Sequence, residues 1–180
     1  DPKSRVLQIQ GPASIDIMNA ASNGSIDETM LYFRSGFFDI GGQNLYVSRT
    51  GFTGELGFEI YCDGEKTDHL ALWDHLFKCG TPYGMEQSSS RALTIRRIEG
   101  GILGNLTDMD ITMSPFEAGL GMFVHMDKDD FIGKMALANK DRQRLLFGLT
   151  CAGETPTSGN VVLDGTREVG RITAGVPSPT

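Results

Sequence analysis

Two residues in this chain occupy positions where an ordinary structural role does not account for their type. Glu59 lies between Phe58 and Ile60, in a segment 56–62 whose apolar and polar residues alternate as they do in a strand. Glutamate is depleted in strands. The residues before it run Thr50-Gly51-Phe52-Thr53-Gly54-Glu55-Leu56-Gly57, and three glycines allow tight turning and close approach of a ligand to backbone. A place on the wet face of a sheet is the plainer account of Glu59, and strand alternation permits it. Arg91 is the second position. With Ser88 as the cap, Arg91 falls in the first turn of a helix, where the helix dipole disfavours a cation by about 0.3–1 kcal/mol. A capping box would carry Glu or Gln there. Arg91 also shares a side with Ile95 and Ile98, the face expected to be buried. A guanidinium directed inward needs a carboxylate partner or an anionic ligand. The alternative is a side chain snorkelling at the helix edge. Of the next two arginines, Arg96 and Arg97, one is expected to face solvent and the other to pair with Glu99 or Asp110. One carboxylate and one guanidinium suit a ligand with two demands. The carboxylate accepts the parallel N–H pair of an amino-pyrimidinone, and the guanidinium holds an acidic tail in the same bidentate manner.

Composition narrows the field. The 180 residues carry 23 acidic and 16 basic side chains, a net charge of −7. Nucleic-acid binding rests on basic excess, so that class loses weight. No apolar run approaches the length of a membrane span, and no signal pattern opens the chain. A cytoplasmic protein is expected, or a mitochondrial-matrix one in a eukaryote. Cys62, Cys79 and Cys151 are odd in number and widely spaced, with no C-x-x-C pair, and read as reduced core thiols. His69, His75 and His125 form no ligand set, so no metal is expected. Asp127, Asp129 and Asp130 miss the EF-hand register and read as a solvated turn. Phosphate-binding, dinucleotide-binding and serine-hydrolase signatures are missing.

The elements that must position the two residues read β-α-β-β-β-α-α. Strands are expected at 6–9, 30–38, 45–49 and 56–62, and helices at 13–21, 66–79 and 89–99. Gly41-Gly42 suits a hairpin turn. The helix over 66–79 is expected to bury Leu70, Trp73, Leu76 and Phe77. This is an α+β architecture, a mixed or antiparallel sheet with helices on one side, followed by part of a small C-terminal β-barrel. Past residue 100, a strand is expected at 120–126, a helix at 131–140, and short strands at 145–151, 160–163 and 168–174. The expected division is an α+β ligand-binding region over 1–100, a connecting segment with a helix over 101–140, and a partial barrel over 141–180.

Tetrahydrofolate carries both an amino-pyrimidinone head and an acidic tail, which fits the pairing of Glu59 with Arg91. The run Ser48-Arg49-Thr50-Gly51-Phe52-Thr53-Gly54-Glu55-Leu56-Gly57-Phe58-Glu59-Ile60 resembles the signature of the glycine-cleavage T-protein family, the folate-dependent aminomethyltransferases. Three further stretches agree in order. They are Ser90-Arg91-Ala92-Leu93 through Ile98-Glu99-Gly100; Ser114-Pro115-Phe116-Glu117-Ala118-Gly119-Leu120-Gly121 with Asp130-Phe131-Ile132-Gly133-Lys134; and Gly170-Arg171-Ile172-Thr173-Ala174-Gly175.

The resemblance implies aminomethyl or methyl transfer to tetrahydrofolate, with the donor a small molecule or a lipoyl-carrying protein. It implies that Glu59 holds the pterin and that Arg91 belongs to the same cofactor site. Tyr83 and the turn 51–57 are implied as nearby scaffold. No catalytic residue is assigned. The aspartate that the family places near the folate nitrogens is expected upstream of residue 1, and the chain reads as a fragment that also lacks the last barrel strands. Arg91-Ala92 replaces the family's frequent Arg-Asp, and Ile98-Glu99-Gly100-Gly101 replaces Leu-Glu-Ala-Gly. The second change also occurs in folate domains of demethylases and of sarcosine and dimethylglycine dehydrogenases, so the donor stays open. The alternatives are a folate-binding module without turnover and an α+β domain with no small-molecule site.

Overall fold

The computed structural model describes residues 3–140 and 142–179, and the chain forms two compact units, residues 1–96 and 97–180. The first unit contains β1 (Ser4–Gln10), α1 (Ser14–Ala21), β2 (Ser35–Ile40), β3 (Gln43–Ser48), β4 (Gly57–Asp63) and α2 (His69–Gly80). The chain passes into the second unit within α3 (Ser90–Glu99). The four strands make one antiparallel sheet in the order β1-β4-β3-β2, so β4 is central and carries Glu59 between two partners.

The period of two along each strand divides the sheet's faces. Leu7, Phe38, Leu45, Val47, Phe58, Ile60 and Cys62 share the inner face, since Leu7 and Val47 both pair with Ile60 and Phe38 pairs with Leu45. Met18 and Ala21 of α1 and Leu72 and Leu76 of α2 complete this core. Both helices therefore cover one side, as the α+β reading expects. The two-residue hairpin at Gly41-Gly42 has φ of 62° and 83°, the positive pair that a type I′ turn requires.

In the first unit the element order matches expectation, but details of phase do not. In α2 the side chain of Asp68 accepts from the N–H of Ala71 at 3.0 Å, which starts the helix at His69. The buried positions are then Leu72 and Leu76, while Leu70 and Trp73 are exposed. Residues 30–34 are not strand. Arg34 N–H bonds back to Leu31, Phe33 and Arg34 exchange hydrogen bonds with Arg49, and Phe33 has φ of 62°. Aromatic richness there marks an exposed loop, and β2 begins only at Ser35. The three cysteines are free, but only Cys62 is buried; Cys79 is half-buried and Cys151 exposed.

In the second unit α4 covers Lys134–Ala138, and β5 (Val161–Asp164) pairs with β6 (Arg167–Arg171) as an antiparallel hairpin. The expected strand at 120–126 is a short 3-10 turn, Gly121–Phe123. Residues 145–151 form no strand; within the stretch Leu146 N–H bonds to the Glu117 carbonyl at 2.8 Å. Apolar alternation alone does not make a strand without a partner to complete its ladder.

Candidate functional site

Glu59 projects from the outer face of the sheet, opposite the helices. Gln8 on β1 and Ser48 on β3 stand directly across from it. Its carboxylate is half-buried and held by three donors. Gln8 Nε2 donates to Oε1 at 3.1 Å, Thr50 Oγ1 donates to Oε2 at 2.5 Å, and Tyr61 OH donates to Oε2 at 3.3 Å. Thr50 follows β3 by two residues, so strand alternation carries it to the same face as Ser48, whose hydroxyl lies 3.0 Å from Thr50 Oγ1. Desolvation, the Glu59 charge and its hydrogen bond, and Tyr46 push the Tyr61 phenol above its ordinary value.

Aromatic rings continue the face away from Glu59. Phe37 and Tyr46 meet edge to face at 5.1 Å between centroids, and Tyr46 meets Tyr61 at 5.9 Å. Tyr46 OH also hydrogen-bonds Ser35 at 2.6 Å. A shallow hollow of about 420 Å³ lies along this row, walled by Phe37, Tyr46, Tyr61, Asp63 and Lys66 among others, with neither Glu59 nor Arg91 in its lining.

The glycine-rich turn has a local purpose that sequence reading missed. A Cβ on Gly51 or on Gly57 would overlap the side chain of Gln10. Gln10 Nε2 bonds the carbonyls of Thr50 and Phe58, each at 3.3 Å, and Thr53 Oγ1 donates to Gln10 Oε1 at 2.8 Å. The turn is wrapped around an internal glutamine, and Gly54 takes φ of 76° at its bend. The close approach expected of a ligand is made by the protein itself.

Arg91 is not directed inward. The hydroxyl of Ser89, one residue past the expected cap, accepts from Ala92 N–H at 3.2 Å, and Arg91 is exposed in the first turn of α3. Among the described residues it has no hydrogen bond or ion pair. Arg97 is the buried arginine. Its guanidinium donates to Asp108 at 2.6 Å and to the Ile102 carbonyl at 3.2 Å, and the two charged side chains are 7% and 9% exposed. The few apolar residues of α3 do not set its burial phase; this ion pair does. Arg96 pairs with Glu55 of the glycine-rich turn. The expected partners Glu99 and Asp110 are not used by Arg97. Tyr83 lies exposed in a 3-10 turn, Thr81–Tyr83. Among the described residues no group of three or more His, Cys, Asp or Glu side chains could hold a metal ion, and no helix is long and apolar enough to cross a membrane.

The fold is thus an antiparallel α+β domain whose outer face presents a fixed carboxylate beside an aromatic row. The GCVT N-terminal domain family matches residues 2–128, and the chain belongs to this glycine-cleavage T-protein family. It is 36% identical over 180 residues to an aminomethyltransferase of Alkaliphilus oremlandii, covering 97% of this chain and 48% of that protein. An aminomethyltransferase of Caldanaerobacter subterraneus subsp. tengcongensis is 37% identical over the same share of this chain and 47% of its own length. The chain spans about half the length of these curated relatives. The crystal structure of the glycine cleavage system aminomethyltransferase T from Bartonella henselae superposes with a TM-score of 0.75 at 22% identity, over 98% of this chain and 48% of that one. That likeness bears on the fold.

Proposed function

We propose that this chain is part of a folate-dependent one-carbon transferase, an aminomethyltransferase, and that the outer sheet face at Glu59 receives the pterin ring of tetrahydrofolate. The observation that carries the reading is the Glu59 carboxylate, fixed at the centre of the sheet in a chain whose family and relatives are aminomethyltransferases. The residues fit the cofactor. A half-buried carboxylate facing outward can accept the paired N–H groups of an amino-pyrimidinone, and charge-assisted bonds of that kind are the strong ones. Tyr61 and Tyr46 supply flat apolar surface beside it. Arg91, exposed and without an ion-pair partner among the described residues, is available to an acidic group of the same ligand.

Tetrahydrofolate supplies the ring nitrogens that accept the one-carbon unit. The work of this chain is binding and orientation: Glu59 fixes the head of the ring, and holding two reactants in register is itself a large part of such a rate enhancement. A lipoyl-carrying protein or a small-molecule donor as partner, and a cytoplasmic location, belong to the same proposal. Calorimetry with tetrahydrofolate tests it. Glu59→Gln keeps the size of the side chain and removes its charge, and should weaken binding by about 1.5–3 kcal/mol, the range for a hydrogen bond to a charged group. Equal affinity of wild type and variant would remove Glu59 from the site.

A further inference from the structure

The hydrogen bonds around Glu59 show which neighbours a ligand can keep and which it must displace. An ionised carboxylate offers about four lone-pair positions, two on each oxygen. Gln8 takes one on Oε1; Thr50 and Tyr61 take both on Oε2. A ligand with parallel N–H donors needs one position on each oxygen. Oε1 has one to give and Oε2 has none until a neighbour leaves. The Thr50 contact is short at 2.5 Å and the Tyr61 contact long at 3.3 Å, so Tyr61 is the weaker hold. Thr50 is also backed by Ser48, whose hydroxyl lies 3.0 Å away and is almost fully buried. Thr50 has a single proton, and its shorter contact directs that proton to Glu59. The Ser48 hydroxyl oxygen, 3.0 Å away, is the second acceptor within reach of the Thr50 hydroxyl.

From this arrangement we infer that Thr50 and Gln8 are positioning residues that hold the Glu59 carboxylate for a ligand's paired N–H donors, and that the Tyr61 hydroxyl is the contact the ligand displaces. The inference rests on the folate reading of Glu59 and goes beyond it by separating its neighbours into two roles. Thr50 acts through Glu59 and touches no reacting atom. Tyr61 covers the carboxylate when the ligand is absent and yields to it.

The test is calorimetric titration of this chain and its variants with tetrahydrofolate and with its 2-desamino-2-methyl analogue, which lacks one of the paired donors. Circular dichroism confirms that each variant is folded. Thr50→Val should weaken tetrahydrofolate about tenfold and leave the analogue within about twofold, because the loss belongs to the paired contact. Thr50→Ser restores the hydroxyl and should bind within about threefold of wild type, and Gln8→Leu should lose roughly threefold. Tyr61→Phe should bind tetrahydrofolate as well as wild type or tighter. The inference is overturned if Thr50→Val weakens both ligands equally, if it weakens neither, or if Tyr61→Phe loses affinity. Glu59→Gln separates the two levels. Unchanged binding in that variant, or no binding by wild type, defeats the folate reading itself; lost binding there with unchanged Thr50→Val defeats the positioning roles alone.

Discussion

At the scale of single residues, the chemistry concentrates on one carboxylate and the hydroxyls around it. Tyr61 shows the coupling in a form that can be measured without any ligand. Its phenol is held above the ordinary tyrosine range by desolvation first and by the Glu59 charge and hydrogen bond next. Ionising it would place a second negative charge against Oε2. Removing the first charge relieves that repulsion, so Glu59→Gln should lower the midpoint of the tyrosine absorbance titration belonging to Tyr61, assigned by its loss in Tyr61→Phe. An unmoved midpoint would mean that the two groups are not in contact in solution. Arg91 makes a different case. It is exposed, so Arg91→Ala should leave the denaturation midpoint within about 0.5 kcal/mol of wild type, as surface substitutions usually do. A drop in tetrahydrofolate affinity in the same variant would be an effect of binding alone.

At the scale of elements, two joints tie the β2–β3 hairpin to α2. One is the Gly41-Gly42 hairpin between β2 and β3. Gly41 combines φ of 62° with a His75 ring atom 2.7 Å from where a Cβ would stand. His75 is itself fixed through Nε2 to the Ala21 carbonyl at 2.8 Å. Gly41→Ala would thus strain the turn and push α2 away from the sheet, at a cost of about 1–3 kcal/mol in urea denaturation. Gly42 has the same backbone hand and open space around it, so Gly42→Ala should cost less. The order of the two variants is the informative result. The second joint is Asp68, whose side chain caps α2 and whose backbone carbonyl accepts from Gln43 Nε2 at 3.0 Å. One residue thus sets both the helix phase and its attachment to the start of β3.

At the scale of the whole molecule, each unit has its own organising principle. The first is built on an apolar core between sheet and helices. The second has little regular structure, and Asp108 ties its parts together. Its carboxylate accepts from Arg97, from Gly104 N–H at 2.8 Å and from Thr173 Oγ1 at 3.0 Å, which joins the segment after α3 to the residue stretch following β6. Breaking a buried pair from one side strands the other charge. Asp108→Ala should therefore destabilise the unit by about 3–5 kcal/mol, whereas replacing Arg97 and Asp108 together with leucines should recover much of the loss. Equal damage from the single and double changes would show that the pair contributes no more than its packing.

Much of this was legible in the residues alone. In the first unit the order of strands and helices and the hairpin at Gly41-Gly42 rest on local periodicity and turn chemistry, which a chain expresses within a few residues of itself, while the run from Ser48 to Ile60 was legible as a resemblance to a family. The place of Glu59 on a strand's polar face followed from alternation. What surrounds it did not. Gln8 lies 51 residues away in sequence, and only strand pairing brings it opposite. The glycines of the turn looked like room for a ligand, but they make room for Gln10, a residue on another strand. Arg91 and Arg97 lie six apart on one helix, and no helical pattern says which is buried; the carboxylate of Asp108, eleven residues on, decides it. Periodicity determines which face a side chain occupies. Which partner it meets there depends on long-range pairing, and that is settled only when the sheet closes.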